Sequence, residues 1–184
     1  MHRRNFLIPL LIITILLLLL SACSKKLKHR DDILLQPSEE TSAPDHAMPY
    51  VEFQDEHGKT VHISEFIDKP FFLYETAADS SFTEEIAAQI NSSAQESGKD
   101  CQYILVFAGQ KDAVLRSDAY LSIQRTYVNV LFDPDSEAAG VLSGGTLPFA
   151  CFVDKDGFIS AESMGPVDSE ELSFGIRLIK NRNS

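Results

Sequence analysis

The chain has 184 residues, of which 44% are hydrophobic and 23% charged, and its formal net charge is −11. This is ordinary globular composition, which argues against a disordered chain, a collagen-like chain or a disulfide scaffold. From Met48 onward there are 22 Asp and Glu against 10 Lys and Arg, and so acidic a surface repels phosphate backbones. Nucleic acid is therefore not expected as a partner.

The first 22 residues have the pattern of a targeting segment. Arg3 and Arg4 precede an apolar run over residues 6–20, which is short for a helix spanning about 30 Å of hydrocarbon and fits the core of a signal peptide. The run ends in Leu20-Ser21-Ala22-Cys23, which resembles the lipobox of bacterial lipoproteins. The resemblance implies that residues 1–22 are a signal peptide and that Cys23 carries acyl chains such as palmitate. An uncleaved anchor with an incidental cysteine is the alternative; either way the rest of the chain is expected on the extracytoplasmic side of a cell-envelope membrane.

Residues 23–47 are predicted to form a flexible tether, and residues 48–184 a single domain. The tether segment is polar, contains Pro37 and Pro44, and has no apolar period. Its first basic residues can add attraction to anionic lipid headgroups: these are Lys25, Lys26, Lys28 and Arg30.

The first half of the domain alternates short apolar runs with an amphipathic stretch. Residues 51–53 and 60–63 flank a turn at 55–59 and predict a hairpin. Residues 71–74 are a continuous apolar run, typical of a strand covered on both faces. Apolar side chains that recur every four residues then predict a helix ending near Gly98: they are Phe82, Ile86, Ile90 and Ala94.

The second half repeats this alternation and closes with a hairpin. Strands are predicted at 103–107 and 128–132, with a helix over 112–125 between them. A hairpin formed by 149–153 and 158–161 precedes a last helix over 169–179, where Asp168 and Glu171 have capping-box spacing. Strands alternating with helices predict an α/β fold with a mixed sheet and helices on both faces.

The order of these parts resembles the thioredoxin-like redoxins of the bacterial envelope, a family of lipoprotein thiol-disulfide oxidoreductases and peroxiredoxin relatives. The resemblance implies a thioredoxin-like fold with a central mixed β-sheet, helices on both faces and an N-terminal β-hairpin. It extends from about residue 50 to about residue 180, and its matching pieces are the turn 55–59 followed by 64–66, Lys69-Pro70 before the strand 71–74, the segment 132–135, Leu147-Pro148 and the segment 152–157.

The family's chemistry requires two thiols in Cys-x-x-Cys at the start of the first long helix, where the helix N-terminus lowers the pKa of the first thiol. Here Asp79 and then Ser80-Ser81-Phe82-Thr83 occupy that place. A hydroxyl cannot form half of a disulfide, so thiol-disulfide exchange at this turn is excluded. The Thr-x-x-Cys of the peroxidase branch is absent too, because Asp79 stands three residues after Thr76.

A serine nucleophile at this turn is not expected either. No histidine lies near the turn in sequence to activate a serine, and Ser81 with Glu84 has capping-box spacing. No catalytic residue is therefore assigned here.

Leu147-Pro148 is the second piece of the family's site. In the family this proline is cis, and the residue before it offers backbone hydrogen bonds to an extended polypeptide. The resemblance therefore implies a candidate peptide-binding groove between Leu147-Pro148 and the turn 79–83. The alternative is that the proline only directs the chain into the following strand.

Two further cysteines, Cys101 and Cys151, follow the lipid-bearing one. An exported protein with two such cysteines invites a disulfide, whereas their positions at the entrance to a strand and within a strand favour buried, inert thiols. The acidic segments 133–135 and 154–157 lack the ligand spacing of a calcium loop. No metal or other cofactor is expected.

The sequence therefore predicts an extracytoplasmic lipoprotein with a redox-degenerate thioredoxin-like domain that binds a protein or peptide partner. A thiol-dependent oxidoreductase or antioxidant using Cys151 or Cys101 is the enzymatic alternative, and a reactive thiol of low pKa would identify it. A passive surface spacer is the third hypothesis.

Overall fold

The computed structural model describes residues 46–77, 80 and 83–182. Within them, one sheet has the strand order β1-β8-β7-β4-β5-β6-β2-β3. The strands are β1 (His46–Ala47), β2 (Glu52–Gln54), β3 (Thr60–His62), β4 (Phe71–Ala77), β5 (Gln102–Ala108), β6 (Val128–Asp133), β7 (Phe149–Val153) and β8 (Phe158–Met164). The helices are a 3-10 helix (Ile63–Phe66), α1 (Thr83–Ser97), α2 (Lys111–Val114), α3 (Asp118–Ser122), α4 (Glu137–Ser143) and α5 (Ser169–Asn181).

The sheet is mixed, as predicted. Strands β4, β5 and β6 run parallel to one another, whereas β7 pairs antiparallel with β4, and β8 with β7. The predicted N-terminal hairpin, β2–β3, joins the sheet antiparallel to β6 through Gln54 and Phe132. Because β4 lies in the middle of the sheet with both faces covered, Phe71, Phe72 and Leu73 are fully buried.

Side chains alternate across the sheet and form two separate apolar cores. One core packs under α1, α3 and α5 and includes Phe72 and Tyr103. The other packs under the 3-10 helix and α4 and includes Leu73 and Val106. Helices therefore cover both faces of the sheet, which confirms the predicted α/β architecture.

Three details differ from the sequence prediction. The predicted helix 112–125 is two short helices, because the Ser117 hydroxyl donates to the Val114 carbonyl at 2.8 Å and accepts from the Tyr120 amide at 3.2 Å. Helix α4 is not predicted, since its short sequence has little apolar periodicity. Strand β1 pairs with β8, so the last two residues of the predicted tether 23–47 belong to the sheet; a pairing with a distant strand leaves no local signal.

No helix in the described part of the chain is long and apolar enough to cross a membrane. The predicted signal peptide 1–22, the lipidation site Cys23 and the tether up to residue 45 lie outside the described residues.

Candidate functional site

The two pieces of the predicted groove stand, along the chain, next to two paired strands of the sheet. Residues 79–83 come in sequence between β4 and the first turn of α1, and Leu147-Pro148 directly precedes β7, which pairs with β4. Glu75, near the end of β4, stands opposite Phe149, the residue after Pro148. The register of β4 and β7 thus brings the end of β4 close to the Leu147-Pro148 loop, although the two lie about seventy residues apart in the sequence.

In the turn, Ser80 and Thr83 are described, whereas Asp79, Ser81 and Phe82 lie outside the described residues. The Thr83 amide donates to the Ser80 carbonyl at 3.1 Å. Thr83 is 2% exposed, and its Oγ1 lies 3.5 Å from Oγ1 of Thr76 on β4. The position of the family's second thiol therefore holds a buried hydroxyl.

The Leu147-Pro148 peptide bond is cis, and only some of the backbone N–H and C=O groups around it form hydrogen bonds. The Thr146 amide donates to the Ser143 carbonyl at 3.3 Å, and the Ser143 hydroxyl donates to the Thr146 carbonyl at 2.7 Å. On the other side, the Gly165 amide donates to the Pro148 carbonyl at 2.8 Å. Between them, the Leu147 N–H and C=O have no hydrogen-bond partner among residues 46–77, 80 and 83–182. One residue of this loop thus presents a free donor and a free acceptor.

A buried acid pair, which the sequence analysis missed, lies beside this loop. Glu75 is fully buried, and as a carboxylate it finds no donor for either oxygen among the described residues. Asp133 at the end of β6 is also buried, and its two oxygens accept from the Glu137 and Ala139 amides at 3.0 Å each. Burial raises the pKa of Glu75 from 4.5 to about 8, and the Asp133 carboxyl adds to the rise by accepting from the protonated acid and by repelling its charged form. Glu75 is therefore predominantly a neutral acid at pH 7.

The two cysteines are free thiols on opposite faces of the sheet. Cys101 belongs to the core under α1 and α5, whereas Cys151 belongs to the core under α4. This placement is incompatible with the disulfide that the sequence left open. Burial raises the pKa of Cys101 to about 12 and also raises the pKa of Cys151. Neither thiol has the thiolate character or the exposure that a redox-active cysteine needs, so the geometry gives no support to an oxidoreductase that uses them.

The histidines and acidic segments do not add a further site. His57 and His62 lie in the N-terminal hairpin, as predicted, where the His62 Nδ1 is 2.6 Å from the Tyr50 hydroxyl. Asp154 Oδ1 accepts from the amides of Asp156 and Phe158 in the β7–β8 turn. Among the described residues, no three His, Cys, Asp or Glu side chains are arranged to hold a metal ion.

No protein-family model matches the sequence, and no curated protein matches it. Solved structures do match. The exposed lipoprotein thioredoxin of Streptococcus pneumoniae is 20% identical with a TM-score of 0.58, and the match covers 70% of this chain and 98% of that one. A protein described as a thiol:disulfide interchange protein from Chlorobium tepidum is 16% identical with a TM-score of 0.64 and coverages of 74% and 96%. A secreted disulfide oxidoreductase of Mycobacterium tuberculosis is 15% identical with a TM-score of 0.58 and coverages of 69% and 94%.

The matches extend over nearly the whole length of each of these proteins and reproduce the fold that the sequence resemblance implies. At such identities the likeness concerns the fold. Together with the sheet order and the loop before β7, it establishes that this chain has the thioredoxin-like fold of the redoxins.

Proposed function

We propose that the chain is an extracytoplasmic lipoprotein whose thioredoxin-like domain binds an extended segment of a protein or peptide partner at Leu147-Pro148. The Leu147 backbone carries this proposal, because its N–H and C=O lack partners within the described part of the chain while those of its neighbours are satisfied. An extended segment that pairs with both groups adds a short strand at this point.

Binding in this groove proceeds without disulfide exchange. Ser80 and Thr83 provide hydroxyls at the positions where the family has thiols, and a hydroxyl cannot accept or donate the electron pair of a disulfide. Cys101 and Cys151 are buried with raised pKa values. The fold is thus retained as a binding surface after the loss of its redox couple.

The location outside the cytoplasm is supported by the lipobox at Cys23 and by two structural neighbours. One neighbour is an exposed lipoprotein and another is a secreted protein. Expression of the full chain in a bacterial host tests the anchor: the wild type is expected in the detergent phase after phase partitioning, with an acyl mass increment, and Cys23→Ser in the aqueous phase. Cys101→Ser is the control and should enter the detergent phase with the acyl mass increment, as the wild type does. A Cys23→Ser variant that still carries the acyl mass refutes the lipidation site.

The groove is tested with a library of immobilised decapeptides and the full chain in detergent micelles. The best binders are then titrated into ¹⁵N-labelled chain. The Leu147 amide is expected to shift, and its hydrogen exchange to slow about tenfold or more, because a new hydrogen bond protects it. Thr146→Arg places a long side chain beside the groove and should weaken binding about tenfold. Val141→Arg on α4, also an exposed position, should leave binding unchanged.

Two results contradict the proposal. If no library peptide binds with a Kd below about 1 mM, near the weak limit of specific recognition, the proposed function is refuted. Binding that shifts amides elsewhere and leaves Leu147 unchanged assigns the peptide site to another surface.

A further inference from the structure

A cleft next to the proposed groove contains buried polar atoms that the fold leaves without partners. It lies between α1 and the loop from β8 to α5, with Tyr74 of β4 among its lining residues, and has a volume of about 180 Å³. The loop that closes it begins at Gly165, whose amide donates to the Pro148 carbonyl. The cleft and the Leu147-Pro148 loop are therefore linked by this hydrogen bond and by the pairing of Tyr74 with Ala150, two residues after Pro148.

Two oxygen atoms at this cleft lack hydrogen-bond partners in the described part of the chain, namely the Tyr74 hydroxyl and Oε1 of Gln89. Tyr74 is 0% exposed, so bulk water does not satisfy its hydroxyl. Leaving such a group unpaired costs about 1–3 kcal/mol, and buried polar groups in native proteins nearly always have a partner. A ligand that donates hydrogen bonds to both oxygens removes this cost.

The charges around the cleft select the chemistry of that ligand. Glu85 and Asp168 are among its lining residues, and Asp168 Oδ1 also accepts from the Glu170 and Glu171 amides at the start of α5. Glu171 lies near enough to Tyr74 to add to the burial effect that raises the pKa of the Tyr74 hydroxyl to about 12. No described Lys, Arg or His lines the cleft. The N-termini of α1 and α5 point to this region, but first-turn carboxylates already offset their positive ends. The lining therefore favours a cation with N–H donors and disfavours an anion.

The size and the walls of the cleft suit a side chain rather than one solvent molecule. A single water requires about 10–15 Å³ of such space, far less than is present. Ile86 and Pro166 line the cleft and provide apolar contact for an alkyl stem, the arrangement in which lysine and arginine bury their methylenes beside a charged end.

We propose that this cleft is a binding site for the ammonium or guanidinium group of a Lys or Arg side chain, supplied by the polypeptide that binds at Leu147. The assignment of the cation to a polypeptide rests on the proposed function; the cation preference of the cleft rests on the unpartnered oxygens of Tyr74 and Gln89 and on the two acidic residues in its lining. The acidic cleft thus selects basic partner segments.

The first test uses a small probe that needs no peptide. n-Butylammonium and the neutral n-butanol are titrated into the labelled full chain in micelles, with the Gln89 side-chain amide and the Tyr74 ring as reporters. Saturable shifts are expected with butylammonium, at concentrations at least about tenfold lower than with butanol, since one charge-assisted hydrogen bond is worth about a tenfold change in affinity. Absence of saturable shifts at Tyr74 and Gln89 overturns the inference and leaves water as the occupant.

Matched variants separate the site from general effects of charge and packing. Glu85→Gln should weaken butylammonium binding several-fold, whereas Glu84→Gln, one residue away and also exposed, should not. Tyr74→Phe should weaken binding while leaving the chain at least as stable, because the hydroxyl it removes has no partner in the described structure. Tyr103→Phe removes a hydroxyl that is bonded to Ser93 and Ser97 and should retain binding. Equal affinities for all four variants overturn the inference.

The second test distinguishes this inference from the proposed function. A groove-binding peptide is made in two forms that differ only by lysine or norleucine at one position, and the position is moved along the peptide. At one position the lysine form should bind about tenfold more tightly, with shifts at Gln89. Peptides that bind at Leu147 but show no lysine preference at any position refute the cation site and leave the peptide groove standing. Butylammonium binding without any peptide binding supports the cleft and refutes the groove.

Discussion

The buried acid Glu75 predicts an unusual dependence of stability on pH. The pKa of Glu75 is raised from 4.5 to about 8 in the folded chain, so between these pH values the folded state holds a proton that the unfolded state has lost. Stability therefore falls as pH rises through this window, by about 1.4 kcal/mol per pH unit. The contribution of Glu75 is fully present below about pH 4.5 and is lost above about pH 8. The free energy of unfolding of a domain is typically only about 5–15 kcal/mol, so ionisation of this one carboxyl removes a large share of the stability at alkaline pH.

Glu75→Gln removes the titration while keeping the shape of the side chain. Its amide has the same neutral state at every pH and can donate to the Asp133 carboxylate, as the protonated acid does. We expect the variant and the wild type to have similar free energies of unfolding near pH 4.5, and the variant to be more stable by about 3 kcal/mol at pH 7 and about 4 kcal/mol at pH 8.

Urea unfolding of both proteins at pH 5, 6, 7 and 8 measures this difference. All other ionisable groups are common to both chains, so their contributions cancel in the comparison. Glu84→Gln, an exposed position, controls for the loss of one negative charge. Its free energy of unfolding should change with pH in the same way as that of the wild type. Free energies of unfolding for Glu75→Gln that also run parallel to the wild type between pH 5 and 8 refute the assignment of a neutral buried acid.

Two further predictions follow from packing and burial. A Cβ at Gly175 of α5 would lie 2.2 Å from the Phe152 ring, so Gly175→Ala should lower the free energy of unfolding by about 1–3 kcal/mol. At Gly140 of α4 the new methyl group would have no atom within 4 Å in the described structure, apart from the backbone of its own helix and its chain neighbours, so Gly140→Ala should raise the free energy of unfolding by about 0.5–1 kcal/mol. Chemical unfolding that ranks the two variants in the opposite order contradicts the packing of α5. Cys101 and Cys151 are buried and have raised pKa values. At pH 8 they should therefore be alkylated only as fast as the chain unfolds, which mass spectrometry with and without urea measures. Rapid alkylation of either thiol in the native protein restores the oxidoreductase hypothesis.

Local sequence patterns were sufficient to predict the main strands and α1, because these elements bury long apolar runs or a regular helical stripe that is visible in the residues themselves. They were insufficient for α4, which begins where Asp133 accepts from the Glu137 and Ala139 amides. They also missed the break between α2 and α3, which depends on the hydrogen bonds of a single hydroxyl at Ser117. The sequence did offer one signal for the buried acid, namely a glutamate inside the mostly apolar run 71–77.

The chemistry of the turn at residues 79–83 was determined by the sequence alone, since a chain without thiols at Ser80 and Thr83 cannot exchange disulfides there in any conformation. Only the tertiary structure decided three other features: the placement of Cys101 and Cys151 on opposite faces, the lack of partners for the Leu147 backbone among the described residues, and the burial that keeps Glu75 protonated. The physical reason is that covalent capability belongs to a residue, whereas burial, hydrogen-bond satisfaction and pKa depend on neighbours that the sheet brings from distant parts of the chain.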